Sequence, residues 1–212
     1  ERGRPGPARC LAGAESESVF QPSFSPDGVP YLVSDRNGWW NIYRWADSGL
    51  AVVCRRQAEF GRPQWQFSMR TFEFLDERRI LCCLGEVGYW HLATLAIDTG
   101  EVRVVSCGLG NVDAFAVDGS SAIVLGGSDD RTAEIRTIDL DSGAGQRLRG
   151  ASSVDVDSRA FSPAQAISFP TGGGEVAHAF LYRPRGYEAG GLSGIAGTRP
   201  PLLVFGMNRP FS

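Results

Sequence analysis

Four side chains in the first third of the chain have the chemistry needed to hold a short peptide. They are two neighbouring tryptophans, an arginine and a third tryptophan: Trp39, Trp40, Arg62 and Trp65. Aromatic rings offer faces on which cations and peptide groups stack, and an arginine fork pairs with a carboxylate. In a structural alternative, the tryptophans pack between strands and Arg62 pairs with Glu59. Both interpretations stay open at this point, and the recognition hypothesis assigns the four residues to substrate binding.

The chain lacks the pattern that makes a serine nucleophile. The elbow of a serine hydrolase needs G-x-S-x-G at a strand-to-helix turn, and no serine of this sequence has it. The segment Gly191-Leu192-Ser193-Gly194 has the wrong spacing, and Gly126-Gly127-Ser128-Asp129-Asp130 lacks the last glycine. Without a serine beside a histidine and an acid, covalent acyl transfer has no route. We therefore predict no catalytic residue in this chain.

No metal or cofactor site is predicted either. His91 and His178 are the two histidines, and the five cysteines show no C-x-x-C spacing. All 21 basic residues are arginine, which excludes a Schiff-base lysine and a lysine-bearing phosphate loop. Residues 108–113 have aspartate where a dinucleotide fingerprint needs glycine, and residues 155–159 have arginine where a calcium loop needs an oxygen ligand. The cysteines are expected to be buried thiols, which favours a reducing, cytoplasmic compartment.

The composition argues against two classes of partner. The formal net charge is −3, and the 21 arginines are scattered among 24 acidic residues, so no basic stripe indicates a nucleic acid. No apolar run approaches the ~18 residues of a membrane span, so no membrane partner is expected. The chain starts at Glu1 without an initiator methionine or a basic-then-apolar leader, and we interpret this start as a cut.

Three repeats predict the elements that must position these side chains. An aspartate, a small hydroxyl residue and a glycine recur between apolar runs, at Asp47-Ser48-Gly49, Asp98-Thr99-Gly100 and Asp141-Ser142-Gly143. The number of residues from one motif to the next is close to the roughly 40 to 50 residues of a four-stranded propeller blade. Short β-rich runs without a helical period predict a mainly β chain with about three such blades, a partial β-propeller. Cys82 and Cys83, adjacent on one predicted strand, are expected to face opposite sides of its sheet.

Four stretches carry a more specific signal. They are residues 21–28 (QPSFSPDG), 34–45 (SDRNGWWNIYRW), 59–65 (EFGRPQW) and 167–184 (ISFPTGGGEVAHAFLYRP). In this order they resemble the prolyl oligopeptidase family of serine peptidases, in particular its dipeptidyl or acylaminoacyl peptidase-like bacterial members. The resemblance implies a β-propeller lid followed by an α/β-hydrolase domain that holds a Ser, Asp, His triad.

The resemblance also predicts how the chain is divided. Residues 1–20 would be a lead-in or a cut blade, residues 21–161 the propeller blades, and residues 162–212 a linker with the first strands of a truncated hydrolase domain. A hairpin is expected over 166–184, and an apolar strand over Leu202 to Phe205. Family members then carry a His-Gly-Gly-Pro turn, whereas this chain has Met207-Asn208-Arg209-Pro210, of which only the proline matches.

Two functions are compatible with these observations. The first is a fragment of a serine-type peptidase, in which the propeller screens short peptide substrates while the chemistry happens elsewhere in the parent. The alternative is a non-catalytic β-propeller scaffold that binds a protein or a small ligand. The stretch that resembles a hydrolase entry favours the peptidase, because a free-standing propeller has no need of it. In either case the unfinished blades predict self-association through exposed blade edges.

Overall fold

The computed structural model describes residues 6–64, 68–129, 131–153, 157, 160–184, 187–188, 191–192 and 201–206. The chain divides into two compact units, Glu1–Asp155 and Val156–Ser212. Apart from a short 3-10 turn over Gly172–Gly174, the regular structure of the described residues is β-strand, so the predicted fold class is confirmed. The described part contains no helix with the length and apolar character needed to cross a membrane.

The first unit consists of three antiparallel sheets, each a four-stranded meander in which consecutive strands pair. Sheet 1 contains β1 (Val19–Phe24), β2 (Pro30–Ser34), β3 (Asn41–Ala46) and β4 (Gly49–Val52). Sheet 2 contains β5 (Phe72–Phe74), β6 (Arg79–Glu86), β7 (Tyr89–Ala96) and β8 (Val102–Val104). Sheet 3 contains β9 (Asn111–Asp118), β10 (Ser121–Ser128), β11 (Arg131–Asp139) and β12 (Gly145–Gly150). This is the blade order that the repeats predict.

The repeated Asp-x-Gly turns join the third and fourth strands of each sheet. Their glycines Gly49, Gly100 and Gly143 all have positive φ, at 109°, 71° and 73°. This conformation is open to glycine at little cost, whereas other residues adopt it with strain. Two of the three turns also touch the preceding sheet. A Cβ added at Gly100 would lie 2.8 Å from the carbonyl oxygen of Val53, and one at Gly143 would lie 2.5 Å from that of Ser106. The motif therefore marks both a hairpin and a contact between sheets.

Two apolar clusters hold the three sheets together. One lies between sheets 1 and 2, and the other between sheets 2 and 3. Sheet 2 is therefore buried on both faces, and six consecutive residues of β6 are inaccessible to water. The neighbours Cys82 and Cys83 show the alternation directly, because Cys82 belongs to the first cluster and Cys83 to the second. The prediction that they face opposite sides is confirmed.

Side chains on the first strands of the sheets connect each sheet to the next. The amide of Gln21, on β1, donates from Nε2 to the carbonyl oxygen of Phe72 at 2.6 Å, and its Oε1 accepts the N–H of Thr71 at 2.6 Å. Gln21 makes these contacts from a left-handed backbone conformation, with φ of 48°. In the same way, Glu73 on β5 accepts the N–H of Val117 on β9 at 3.1 Å. These bonds tie β1 to the start of β5, and β5 to β9.

The second unit contains the predicted hairpin. Strands β13 (Ala164–Pro170) and β14 (Val176–Tyr182) pair in register, and a further short pair joins β15 (Tyr187–Glu188) to β16 (Gly191–Leu192). The expected strand over Leu202 to Phe205 is wrong for this structure, because residues 201–206 have no regular structure and their side chains are exposed. An apolar strand of a parallel sheet needs partners on both sides, and none is placed beside these residues in the described part of the chain. The structure divides the chain at residues 155/156, whereas the sequence analysis divides it at 161/162.

Candidate functional site

Three of the four predicted binding residues lie at the same end of sheets 1 and 2. Trp39 and Trp40 form the end of the turn between β2 and β3, and Arg62 lies in the connection from β4 to β5. Trp65 lies outside the described residues. Gly61 brings the turn and the connection together, since a Cβ there would lie 2.6 Å from Cε3 of Trp40. The glycine thus allows the connection to run directly across the indole ring.

The two tryptophans of the turn have different environments. Trp40 packs against the first apolar cluster, with its ring edge-on to Phe20 at a centroid distance of 6.3 Å. Its N–H donates to the Glu59 carboxylate at 3.0 Å, and its carbonyl oxygen accepts the N–H of Phe60 at 2.7 Å. Trp39 keeps 36% of its surface exposed. Trp39 is therefore the more exposed of the two tryptophans.

Arg62 connects all three sheets. Its guanidinium lies over the Trp90 ring, 4.1 Å from the ring centroid, which is within the range of a cation–π interaction. It donates from Nη1 to the carbonyl oxygen of Asp113 at 2.7 Å, and from Nη2 to that of Val112. Burial lowers the pKa of Arg62 from its ordinary value, although an arginine remains charged at any physiological pH. Its Nε is buried and has no hydrogen-bond partner among the described residues.

Arg62 packs structurally, as the alternative interpretation expects, but its partners are Trp90 and two main-chain oxygens instead of Glu59. Glu59 accepts the N–H of Trp40 and forms a backbone bridge with Gly85, with N–O distances of 3.0 and 2.8 Å. No ion pair joins Glu59 to Arg62 in the described part of the chain. The stretch 59–62 therefore fastens sheet 1 to sheet 2 through Glu59, and to sheet 3 through Arg62.

The sequence analysis missed Trp90, on which Arg62 stacks. The repeat contained a signal for it, because Trp40 and Trp90 make the same kind of contact. The main-chain N–H of each donates to a polar side chain further along the chain, that of Glu59 for Trp40 and that of Asn111 for Trp90. Gln21 and Glu73 were also missed. Nothing in their sequence context distinguishes them from ordinary surface residues, since their partners are distant main-chain groups.

A serine and a histidine meet on the hairpin of the second unit. Ser168 and His178 are directly opposite each other on β13 and β14, and Oγ lies 2.8 Å from Nδ1. Both side chains are exposed, and among the described residues no carboxylate contacts His178. Activation of a serine requires an imidazole oriented by a third group, and donors for the developing oxyanion. The pair is a cross-strand contact between solvated side chains and lacks these parts.

The expectation that the cysteines are buried thiols is confirmed for four of them and is wrong for Cys10. Cys54, Cys82, Cys83 and Cys107 are free and buried, and Cys10 is free and exposed. Desolvation raises the pKa of Cys82 well above its ordinary value and that of Cys83 to about 11. Because the thiolate is the nucleophile and the metal ligand, these two groups are poor at both tasks. No group of three or more candidate metal ligands is found in the described ranges.

Solved structures are the known proteins that this chain is similar to. No protein-family profile and no curated protein matches the chain. Among solved structures, a puromycin hydrolase matches 87% of the chain with a TM-score of 0.76 and 29% sequence identity, and a mutant form of it gives 30%. The resemblance to the prolyl oligopeptidase family is confirmed. The chain spans 28% of the length of that hydrolase.

Two further structures, with lower sequence identity, share the fold. A puromycin-hydrolyzing peptidase of Mycobacterium tuberculosis matches 87% of the chain with a TM-score of 0.79 and 24% identity, and the chain covers 28% of it. The dipeptidyl peptidase 4 of Porphyromonas gingivalis matches 80% with a TM-score of 0.56 and 14% identity, and the chain covers 24% of it. These two structures support the fold of the chain.

Proposed function

We propose that this chain is part of a serine-type peptidase and contributes its substrate-screening propeller, without peptidase chemistry of its own. The observation that carries the proposal is the likeness to puromycin hydrolase over 87% of the chain at 29% identity. The absence of G-x-S-x-G from the sequence supports the second half of the statement, because acyl transfer needs an activated nucleophile. The neighbours' puromycin chemistry suggests that the full-length parent hydrolyses the amide bond of small aminoacyl or peptidyl amides.

Within this function we assign contact with the peptide to Trp39, and positioning to Trp40 and Arg62. Trp39 has an exposed ring at the tip of its turn, whereas Trp40 is packed on the core and the two Nη atoms of Arg62 are bonded to main-chain oxygens. An aromatic face at a loop tip suits the stacking of peptide side chains. Trp65 remains a candidate by sequence. The four free buried cysteines support a reducing compartment, and we propose a cytoplasmic location.

The experiment compares the 212-residue chain with any longer polypeptide that its reading frame encodes. We expect the longer polypeptide to hydrolyse puromycin and to be labelled by a fluorophosphonate. The 212-residue chain should do neither above a blank, because it has no activated serine. Stoichiometric labelling of the short chain would overturn the non-catalytic role, and a longer polypeptide without labelling would favour the binding-scaffold alternative.

Variants of the longer polypeptide test the assignment within the propeller. Trp39→Ala should raise KM for puromycin or a peptide amide while leaving kcat nearly unchanged, because it removes binding that the ground state and the transition state share. Val104→Ala, at an exposed position of β8, is the matched control. An unchanged KM for Trp39→Ala would remove Trp39 from the site.

A further inference from the structure

Sheet 3 contains a buried carboxylate that is shared by several arginines. It belongs to Glu134, on β11, of which 5% is exposed. Its Oε1 lies 2.8 Å from Nη1 of Arg136 on the same strand, and its Oε2 lies 3.0 Å from Nε of Arg147 on β12. Nη1 of Arg131 is 3.8 Å from Oε1. No other carboxylate pairs with Arg136 or Arg147 in the described part of the chain. Two guanidiniums therefore share one carboxylate even if Arg131 is left out.

These two arginines have more hydrogen-bond donors than the neighbouring residues have acceptors for them. A guanidinium only donates. Arg136 uses Nη1 for Glu134, its Nη2 lies 3.4 Å from the carbonyl oxygen of Gly145, and its Nε has no partner among the described residues. Arg147 contacts Glu134 through Nε, and neither of its Nη atoms forms a hydrogen bond within the described ranges. The side chain of Arg147 is 57% exposed, so a solute can reach it.

The strand register places the two guanidinium groups beside each other. Arg136 and Arg147 are directly opposite on β11 and β12. Like charges at opposed positions of a sheet destabilise it. The carboxylate of Glu134 offsets this repulsion, because each of its oxygens contacts one of the two arginines. The two side chains thus converge on a group of the size of a carboxylate, and a second oxyanion would neutralise the positive charge that Glu134 leaves.

The repeated fold does not need charges at these positions. Counted from the Asp-x-Gly turns, the arginine pair of sheet 3 corresponds to Ala93↔Val104 of sheet 2, and Glu134 corresponds to His91. Sheet 2 therefore forms the same four-stranded meander with neither a carboxylate nor an arginine there. Val104 is 49% exposed, so this place on the fourth strand borders water in both sheets. The charged group is particular to sheet 3 and is open to a ligand from solution.

We propose that Arg136 and Arg147 bind a small oxyanion, a carboxylate or a phosphate group, beside Glu134. The proposal goes beyond the proposed function and does not depend on it. Arginine forks bind such groups through directed, charge-assisted hydrogen bonds. The ligand approaches from the water beside β12 and meets Arg147 first, because Arg147 is 57% exposed and Arg136 is 19% exposed.

An NMR titration of the 212-residue chain tests the site, with the arginine Nε–H signals as the readout. The probes are acetate and inorganic phosphate, and each replaces chloride at constant ionic strength. We expect the signals of Arg136 and Arg147 to shift and to saturate with at least one probe. Saturation with acetate identifies a carboxylate ligand, and saturation with phosphate identifies a phosphate ligand. If neither probe gives a saturating shift, the proposal is overturned.

Two neighbouring arginines of β12 provide the variant and its control. Arg147→Gln should weaken binding by at least about tenfold, because a charged hydrogen-bond donor is lost. Arg149 is also exposed on β12, and it makes no contact with Glu134 among the described residues. Arg149→Gln should change the affinity by less than about twofold, since salt screens exposed charges. Equal losses in the two variants would overturn the proposal, because they would show only a general attraction of anions to a basic strand.

A change at Glu134 tests the site from the opposite direction. Glu134→Gln removes the negative charge that competes with the ligand for both arginines, so it should tighten binding by at least about threefold. A structural ion pair without a ligand role does not predict this gain. Melting curves show that the compared variants are folded. An affinity that is unchanged in Glu134→Gln would place the anion elsewhere and would overturn the proposal.

Discussion

At the scale of single residues, Arg62 is a side chain suited to ligand binding that instead connects the three sheets. Its planar fork reaches two successive carbonyl oxygens of β9 while its flat face lies on Trp90. A lysine ammonium carries the same charge but cannot make both directed bonds and the stacking at once. The identity of the residue as arginine therefore matters more than its charge.

We expect Arg62→Lys to lower the free energy of unfolding by about 1–3 kcal/mol, because two main-chain acceptors lose their charged donor. Urea titration of the 212-residue chain measures the effect. Arg78→Lys, at an exposed position in the turn between β5 and β6, is the control and should be neutral. If the two variants are equally stable, Arg62 does not hold the sheets together and is available for a ligand.

Glu17 is a second residue whose partners determine its behaviour. Its carboxylate accepts from Nε and Nη2 of Arg36 at 2.8 and 3.0 Å. The hydrogen bond from Arg36 lowers the pKa of Glu17 from 4.5 to about 2, with further help from Ser34 and the N–H of Gly13, and desolvation opposes the change. Because the folded pKa lies below the ordinary value, the ionised form stabilises the fold above about pH 4.5 and this contribution is lost as the pH falls towards 2.

We expect wild type and Glu17→Gln to differ in how their free energy of unfolding changes at low pH. Wild type should lose about 1–3 kcal/mol more than Glu17→Gln between pH 5 and pH 2, a range reduced from the full linkage value because Arg36 is partly exposed to solvent. Urea titrations across this pH range measure it. Glu86→Gln, which removes a single exposed bond to Arg56, should change the profile less. Parallel profiles for wild type and Glu17→Gln would contradict the assignment.

At the scale of the elements, the turn between the third and fourth strands both reverses the chain and contacts the preceding sheet. These two roles can be tested separately. Gly143 has a φ of 73° and lies against the carbonyl oxygen of Ser106, whereas Gly119, in the turn between β9 and β10, has a φ of 61° and open space around it. Both glycines have a left-handed backbone conformation. Of the two, Gly143 also lies close to the preceding sheet. The two glycines thus form a matched pair.

Gly119→Ala should cost about 1 kcal/mol, the strain of a left-handed alanine. Gly143→Ala should cost about 2–4 kcal/mol, because its methyl group also pushes sheet 3 away from the connection that follows β8. Thermal and urea unfolding of both variants provide the comparison. Equal losses would show that the repeated glycine serves only the local turn.

At the scale of the whole molecule, the chain has an apolar face that nothing covers in its described part. In the isolated chain this face, with Ile123, Leu125 and Ile135, would favour contact with any similar surface. We therefore propose that the isolated chain self-associates reversibly. This association would be a consequence of the open face.

Sedimentation velocity over a range of concentrations checks this proposal. The average mass of the 212-residue chain should rise with concentration, and Leu125→Glu should keep it monomeric, because a charge on this apolar face opposes its burial. Val104→Glu, on the last strand of sheet 2, is the control and should still associate. A wild-type chain that is monomeric at every concentration would contradict the prediction.

The sequence by itself determined the local architecture of this protein. The Asp-x-Gly repeats and the alternating apolar runs predicted three four-stranded blades, and a hairpin close to the observed 164–182, because turn conformation and strand alternation depend on nearby residues. The four motif stretches indicated the same family as the similar solved structures. The opposite placement of Cys82 and Cys83 followed from the two-residue period of a strand.

Only the tertiary structure decided what the candidate site residues do. The sequence could not tell that Trp40 packs against the core while Trp39 is exposed, or that Arg62 bonds to β9 and stacks on Trp90. Both depend on how separate sheets pack. Gln21 and Glu73 gave no signal, since main-chain groups are the same at every residue and carry no sequence mark. The expected strand over Leu202 to Phe205 failed for a related reason: an apolar run becomes a strand only where other strands are present to pair with it.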